Sequence, residues 1–385
     1  MKYISRTVWI LSLISLFTDM ASEMLYPVMP VYLKSIGFSV LIIGILEGLA
    51  EATAGLSKGY FGKLSDQTGK RVPFVRIGYA MSAISKPMLA LFIYPVWVFL
   101  ARTADRMGKG IRTGARDAIL SAEAVSETKG KIFGFHRSMD TLGAVIGPSV
   151  ALVYLAYFPG NYKTLFFFAL VPGIIAILAS GLLKEKPVII TPGKENIHFF
   201  SFLKYWKQSP PAYRRIVAGF VVFTLFNSSD IFLLLKAKDA GISDTSVIGI
   251  YIFYNLVYAA FAFPMGILAD KLGLKKIFIA GMFLFSITYF GMGFNQNTYG
   301  FYALFLIYGL FAAASEGISK AWISNTVDPK DTATAIGTFS AFQSIGSLIA
   351  SSLAGVLWIG LGARAVFMAS GSAAILVAVY FLRLK

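Results

Sequence analysis

The chain has 385 residues, 57% of them hydrophobic and 14% charged, with a formal net charge of +16 and a mean hydropathy of +0.70. Soluble domains carry roughly a quarter charged residues, so a single water-soluble core is excluded, and the basic surplus reads as the positive-inside bias of a membrane protein rather than a nucleic-acid surface. The absence of cysteine excludes disulfides, a thiolate nucleophile and Cys-ligated metal.

Apolar runs recur at about 7–33, 41–62, 74–94, 134–158, 164–183, 216–235, 246–268, 275–293, 300–323, 335–359 and 365–383. Each can cross a hydrocarbon core of about 30 Å. The runs are continuous rather than alternating, which predicts helices and excludes barrel strands. In the first run, Asp19 and Glu23 interrupt a stretch too long for a signal-peptide core, so it is read as a retained span. Ser12, Ser15, Asp19, Ser22, Glu23 and Tyr26 share one helical arc there. In the second span Glu47, Glu51 and Lys58 align at i, i+4 and i+11.

A twelfth candidate, 96–116, runs into "ARTADRMGKGIRTGARDAILS" (101–121). This stretch holds Arg102, Asp105, Arg106, Lys109, Arg112, Arg116 and Asp117. On a helix all seven fall within an arc of about 140°, leaving a face of small and apolar residues. A solvated loop has no reason to sort itself so, and the stretch is predicted to be the inner part of a fourth span. Charges inside a bilayer must face water or opposite charge. The acids of spans 1 and 2 are the expected partners, with Asp140 of span 5 beside His136 and Arg137. Arg112, Arg116 and Asp117, nearer the cytoplasmic end, are expected to pair with loop charges.

Residues 184–215 are the one long polar break. They divide the chain into an N-terminal six-helix bundle (1–183), a cytoplasmic linker and a C-terminal six-helix bundle (216–385). With both termini cytoplasmic, the inner loops carry Lys63, Lys70, Arg71, Lys129, Lys131, Lys271, Lys275, Lys276 and Lys330. The linker adds seven more cations, and the opposite side has Lys34, Lys163, Lys236, Lys238 and Arg364. In the second half, ionisable residues at or near the spans are Asp230, Lys236, Glu316 and Lys320, while Tyr254 and Tyr258 could line a cavity.

The halves echo each other. "GKLSDQTGKR" (62–71) returns as "GILADKLGLKK" (266–276), and "ILSAEAVSETKGKIFG" (119–134) as "WISNTVDPKDTATAIG" (322–337). The pair Gly62, Asp66, Gly69, Lys70, Arg71 and Gly266, Asp270, Gly273 resembles the loop signature of the major facilitator superfamily. The resemblance implies an all-α fold of twelve transmembrane helices in two six-helix halves, with these residues gating it. Pro27 and Pro30, and Gly143, Gly147 and Pro148, are similar to first- and fifth-span motifs of twelve-helix drug:proton antiporters. Arg106, Gly110, Gly114 and Ala115 resemble the fourth-span motif associated there with proton coupling. Lys109 stands where an uncharged amide is usual, and the extra Arg102, Arg112 and Arg116 suit an anionic or zwitterionic solute better than a cation.

The expected function is secondary transport of a small organic solute across the plasma (inner) membrane, as proton-coupled efflux by a monomer. Alternatives are a proton-coupled importer of an organic anion or nutrient, and a non-transporting receptor. Asp19, Glu23, Glu47, Glu51 and Arg106 are the proton-coupling candidates. Tyr26, Arg102, Lys109, Tyr254, Glu316 and Lys320 are the solute-facing ones, and Arg112, Arg116, Asp117 and Asp140 join the loop residues as gating candidates. No enzyme, metal or cofactor is expected: the two histidines cannot build a His-rich site, and no phosphate-binding loop occurs.

Overall fold

Helix boundaries follow the local chemistry. The computed structural model describes residues 4–26, 28–186 and 198–384. Pro27 lies outside these, as do 187–197 of the linker and the side chains of Pro30 and Glu47. The described residues form sixteen α-helices: α1 (Arg6–Glu23), α2 (Met29–Ser35), α3 (Val40–Thr68), α4 (Val72–Leu91), α5 (Pro95–Ala122), α6 (Lys129–Tyr157), α7 (Tyr162–Phe168), α8 (Leu170–Ser180), α9 (Tyr205–Gln208), α10 (Pro211–Thr224), α11 (Ile231–Asp239), α12 (Asp244–Leu272), α13 (Leu274–Phe294), α14 (Thr298–Asn325), α15 (Thr332–Leu361) and α16 (Ala363–Arg383). Ser5 caps α1 by accepting the Val8 amide, and Asn297 caps α14 through Tyr299 and Gly300. Proline stands in the first turn of α4, α5 and α10, where its missing N–H costs nothing.

The first apolar run is two helices, α1 and α2, with turn residues at 24–26 and 28. The run at 216–235 likewise breaks between α10 and α11. The charged stretch 101–121 is continuous helix within α5. Seven helical stretches among the described residues, all after residue 125, are long and apolar enough to cross a membrane. The helices α1, α3, α4 and α5 are not among them, and each carries at least two charged residues.

The helices gather into two compact units. The first comprises Met1–Val125, Met139–Ser209 and Val327–Ser344; the second comprises Ser126–Ser138, Pro210–Thr326 and Ile345–Lys385. The linker region therefore separates most of the chain, but the first turns of α6 pack in the second unit and those of α15 in the first.

In the first unit Tyr32 donates to the Leu89 carbonyl at 3.2 Å and meets Phe166 edge-on, centroids 4.8 Å apart. In the second, Phe220, Phe278, Trp322 and Phe381 form one aromatic cluster. Lipid tails are as apolar as these rings, so close packing rather than transfer from water holds such helices together. Small residues make it possible. A Cβ on Gly143 or Gly147 of α6 would strike the α1 backbone at Leu16 and Met20.

Candidate functional site

The site is built on α5, and its glycines set how deep α5 sits. Gly108 lies against Ser82 and the Gly78 carbonyl of α4, and Gly110 against Ala54 and Ser57 of α3. Gly114 crosses Gly62 of α3. No side chain larger than hydrogen fits these crossings, so the charged residues between the glycines are held at short range from both neighbours.

Asp105 is the centre of the pairing. It takes Lys86 Nζ of α4 at 2.5 Å and Arg102 Nη1 at 3.9 Å. Arg106 pairs with Glu51 of α3 at 3.1 Å. Arg112 donates to Ser82 Oγ at 2.6 Å and lies over the Tyr79 ring, 4.6 Å from its centroid. Lys86, Arg102, Asp105, Arg106 and Arg112 border a cleft in the first unit, lined also by Asp19, Ser22, Glu23, Tyr26 and Lys109. The lining holds five cations (Lys86, Arg102, Arg106, Lys109, Arg112) and three carboxylates (Asp19, Glu23, Asp105). Counting Glu51 as a fourth still leaves a positive surplus.

Farther along α5, Arg116 binds Asp117 through Nε at 2.9 Å and Nη2 at 2.8 Å, and reaches Ser15 Oγ at 3.5 Å. Ser15 in turn donates to Asp140 of α6. The sequence places the partners of Arg112, Arg116 and Asp117 in loops. The contacts seen for Arg112 and Arg116 are instead with helical residues of α1, α4 and α5 itself, because this end of α5 is buried among helices.

The repeated loops each present a carboxylate to a helix start. Asp66 accepts the Thr334 amide at 2.7 Å and its hydroxyl at 2.8 Å, in the first turn of α15, and pairs with Arg71 at 3.4 Å. Arg71 also donates to the carbonyls of Ala118 and Pro329. Asp270 accepts the amides of Gly130 and Lys131 at 2.8 Å each, in the first turn of α6. Unpaired amides and the helix dipole make both places favourable for negative charge. Burial nonetheless pushes the Asp66 carboxyl up to about 7, against the pull of Arg71 and Thr334. Burial also raises that of Asp270, which the two amides hold back. Gly69 ends α3 with a φ of 63°, a left-handed turn that suits glycine, and Gly273 has a φ of 102°. Lys70 is exposed. Gly62 meets the Ala333 carbonyl of α15 and Gly266 the Gly130 carbonyl of α6, so the glycine crossing is duplicated along with the acid.

In the second unit the solute-facing candidates are differently placed. Tyr254 is 6% exposed and stacks on Tyr308, centroids 5.1 Å apart. Tyr308 donates to Asp230 at 2.6 Å, at the break before α11. Arg137 donates to Tyr258 at 2.5 Å. Glu316, close enough to Asp230 to repel it, and Lys320 are half-buried on α14.

Two participants escape the sequence reading. Lys86, the direct partner of Asp105, sits inside an apolar run, and an ionisable residue there is by default a functional signal. Glu185, at the start of the linker, accepts the amides of Arg71 and Val72 at 2.9 and 2.8 Å and so caps α4 from a distance. Nothing in local spacing signals that contact.

A multi-pass helical membrane protein with a charged cleft inside one helical unit is built as a transporter is. The sequence profile of the Major Facilitator Superfamily matches residues 11–243 and again 216–385, and the chain belongs to that superfamily, whose members are transporters rather than enzymes. An uncharacterised MFS-type transporter of Methanocaldococcus jannaschii is 33% identical over 363 residues, 93% of this chain and 89% of that protein. The quinolone resistance protein NorA of Staphylococcus aureus is 26% identical over 161 residues, 42% of this chain and 40% of its own. The fold matches that of the human organic anion transporter MFSD10 (TETRAN) with a TM-score of 0.79, over 98% of this chain and 99% of that one, at 17% identity.

Proposed function

We propose that this chain is a twelve-span secondary transporter of the plasma membrane, with both termini cytoplasmic, that expels a small organic anion or zwitterion in exchange for protons. The observation that carries the reading is the cleft of the first unit. It sets Asp19 and Glu23 in the same lining as Arg102, Arg106 and Lys109, with more cations than acids. Burial raises a carboxyl's proton affinity and a nearby guanidinium lowers it. A motion that changes the distance from Arg106 to these acids therefore loads or unloads a proton, and one pKa unit corresponds to about 1.4 kcal/mol. The cation surplus favours a negatively charged solute group. The partial similarity to a quinolone resistance protein supports efflux as the direction, and the fold shared with an organic anion transporter is compatible with the charge of the solute.

Proteoliposomes with an imposed pH gradient and a lumenal pH dye test this. The expected result is proton movement on adding an anionic or zwitterionic solute. Glu23→Gln is expected to abolish gradient-driven transport while keeping solute binding and exchange, with Asp19→Asn the same or weaker. Full gradient-driven transport in both variants would remove these acids from the coupling and leave Glu47 and Glu51.

A further inference from the structure

Residues 198–209 form a short segment with two distinct faces, and the proposed transport cycle uses neither. Facing inward are Phe202, Tyr205, Trp206 and Ser209, spaced i, i+3, i+4 and i+7. Phe202 is completely buried, in a slot that exists because Gly59 of α3 has no side chain. Its carbonyl accepts the Thr338 hydroxyl of α15 at 3.5 Å, and Trp206 meets Phe342 of α15 edge-on at 5.7 Å. The segment thus wedges α3 to the first turns of α15.

The outward face repeats the spacing with Phe200, Leu203, Lys204 and Lys207. Phe200 is 57% exposed, Leu203 is 41% exposed, and both lysines are exposed. Phe199 extends this face beside Tyr60 of α3, ring centroids 5.3 Å apart. Apolar rings interleaved with lysines, and no acidic residue between 198 and 215, match the boundary between acyl chains and negatively charged headgroups.

We propose that this outer face binds the surface of an anionic lipid leaflet, and that the bound leaflet keeps Phe202 in its slot between α3 and α15. The two faces belong to one short segment, so whatever holds the outer face raises the cost of withdrawing the inner one. Anionic lipid and Asp66 then act on the same element, the first turns of α15, from different sides. The inference is independent of what the cleft transports.

The full chain in nanodiscs tests it, with phosphatidylcholine alone or mixed with phosphatidylglycerol of the same chain length, and amide hydrogen exchange of 199–208 as the readout. Each lysine at an anionic surface contributes roughly a fivefold bias and the two multiply, so exchange is expected to slow by about 25-fold in the anionic discs and to recover in high salt. Lys204→Gln/Lys207→Gln should remove the lipid dependence and leave exchange in α5 unchanged. Phe202→Ala should speed exchange in both lipids. Equal exchange in the two lipids, or a dependence that survives the double lysine variant, would overturn the proposal. So would protection that appears only with two chains per disc, which would assign the face to a second copy. Should the double variant fail to fold, the salt titration of the unaltered chain decides.

Discussion

The loop at 62–71 and its copy at 266–276 place a carboxylate at the same kind of position, and they hold it differently. Both acids cap the first turn of a helix, and both loops carry a glycine at a backbone crossing. Only Asp66 is deeply buried and paired with an arginine; Asp270 is half-buried and bound by two amides. Duplication has kept what the helix ends and the close crossing require, while the arginine partner is seen in the first copy and the charge of Lys131 acts on the acid of the second. The same contrast extends inward. The first unit gathers charges that satisfy one another, whereas the second surrounds its half-buried Asp230 with tyrosines.

Removing one charge from the first unit should break this contrast most visibly. Lys86→Met leaves Asp105 without its closest partner, and losing one side of a buried pair costs about 3–5 kcal/mol. A large fall in melting temperature in detergent is expected, with recovery in Lys86→Met/Asp105→Leu. The matching change in the second unit, Tyr308→Phe, removes one neutral donor from Asp230 and should cost about 1–3 kcal/mol. Equal losses would mean that the two units are held by the same kind of interaction after all.

The glycine crossings should behave alike. Gly62→Ala and Gly266→Ala each push a methyl group into a backbone carbonyl, and overpacking of this kind costs about 1–3 kcal/mol. Thermal denaturation of the two variants side by side checks whether the packing half of the motif is equivalent in both copies.

The charge half should not be equivalent. Asp66→Asn is expected to slow transport by about tenfold or more, some 1.4 kcal/mol in the barrier, in a protein that remains monodisperse. Asp270→Asn should have a smaller effect. The smallest and sharpest difference is in pH dependence. Asp66 has its carboxyl raised from 3.8 to about 7, chiefly by burial, with Arg71 and Thr334 against it and Tyr205 nearby. A group raised in this way favours the docked arrangement fully below its ordinary value, and that contribution is lost as pH rises through about 7. Protection against hydrogen exchange in the first turns of α15, taken relative to the intrinsic base-catalysed rate at each pH, should therefore fall from acid to neutral pH, and Asp66→Asn should flatten that profile.

Much of this was legible in the sequence because it is local or repeated. The sorting of seven charges onto one arc predicts the helix at 101–121, and the paired loops reveal themselves by matching each other. Asp19, Glu23, Tyr26, Arg102, Arg106 and Lys109 share one cleft as helical spacing and charge suggest. The illegible part is long-range. Lys86 meets Asp105 and Glu185 reaches the start of α4 only because helices distant in sequence lie side by side. The breaks between α1 and α2 and between α10 and α11 hide inside apolar runs that look continuous, since hydropathy measures transfer and is blind to backbone turns. The packing of the first turns of α6 and α15 away from the rest of their helices has no sequence period at all.

The Lys86–Asp105 pair also constrains how the protein is made. A central Lys, Arg or Asp costs at least about 2.5–3.5 kcal/mol when a lone helix enters lipid, and α5 carries seven charges between residues 101 and 121. During synthesis Lys86 emerges before the acid that neutralises it, and Glu51 before Arg106. The helices α3, α4 and α5 are therefore expected to leave the insertion machinery together, α4 waiting at its lateral exit until α5 is complete. A nascent chain stalled just after α4 should remain crosslinkable to that exit, and one extended past α5 should not.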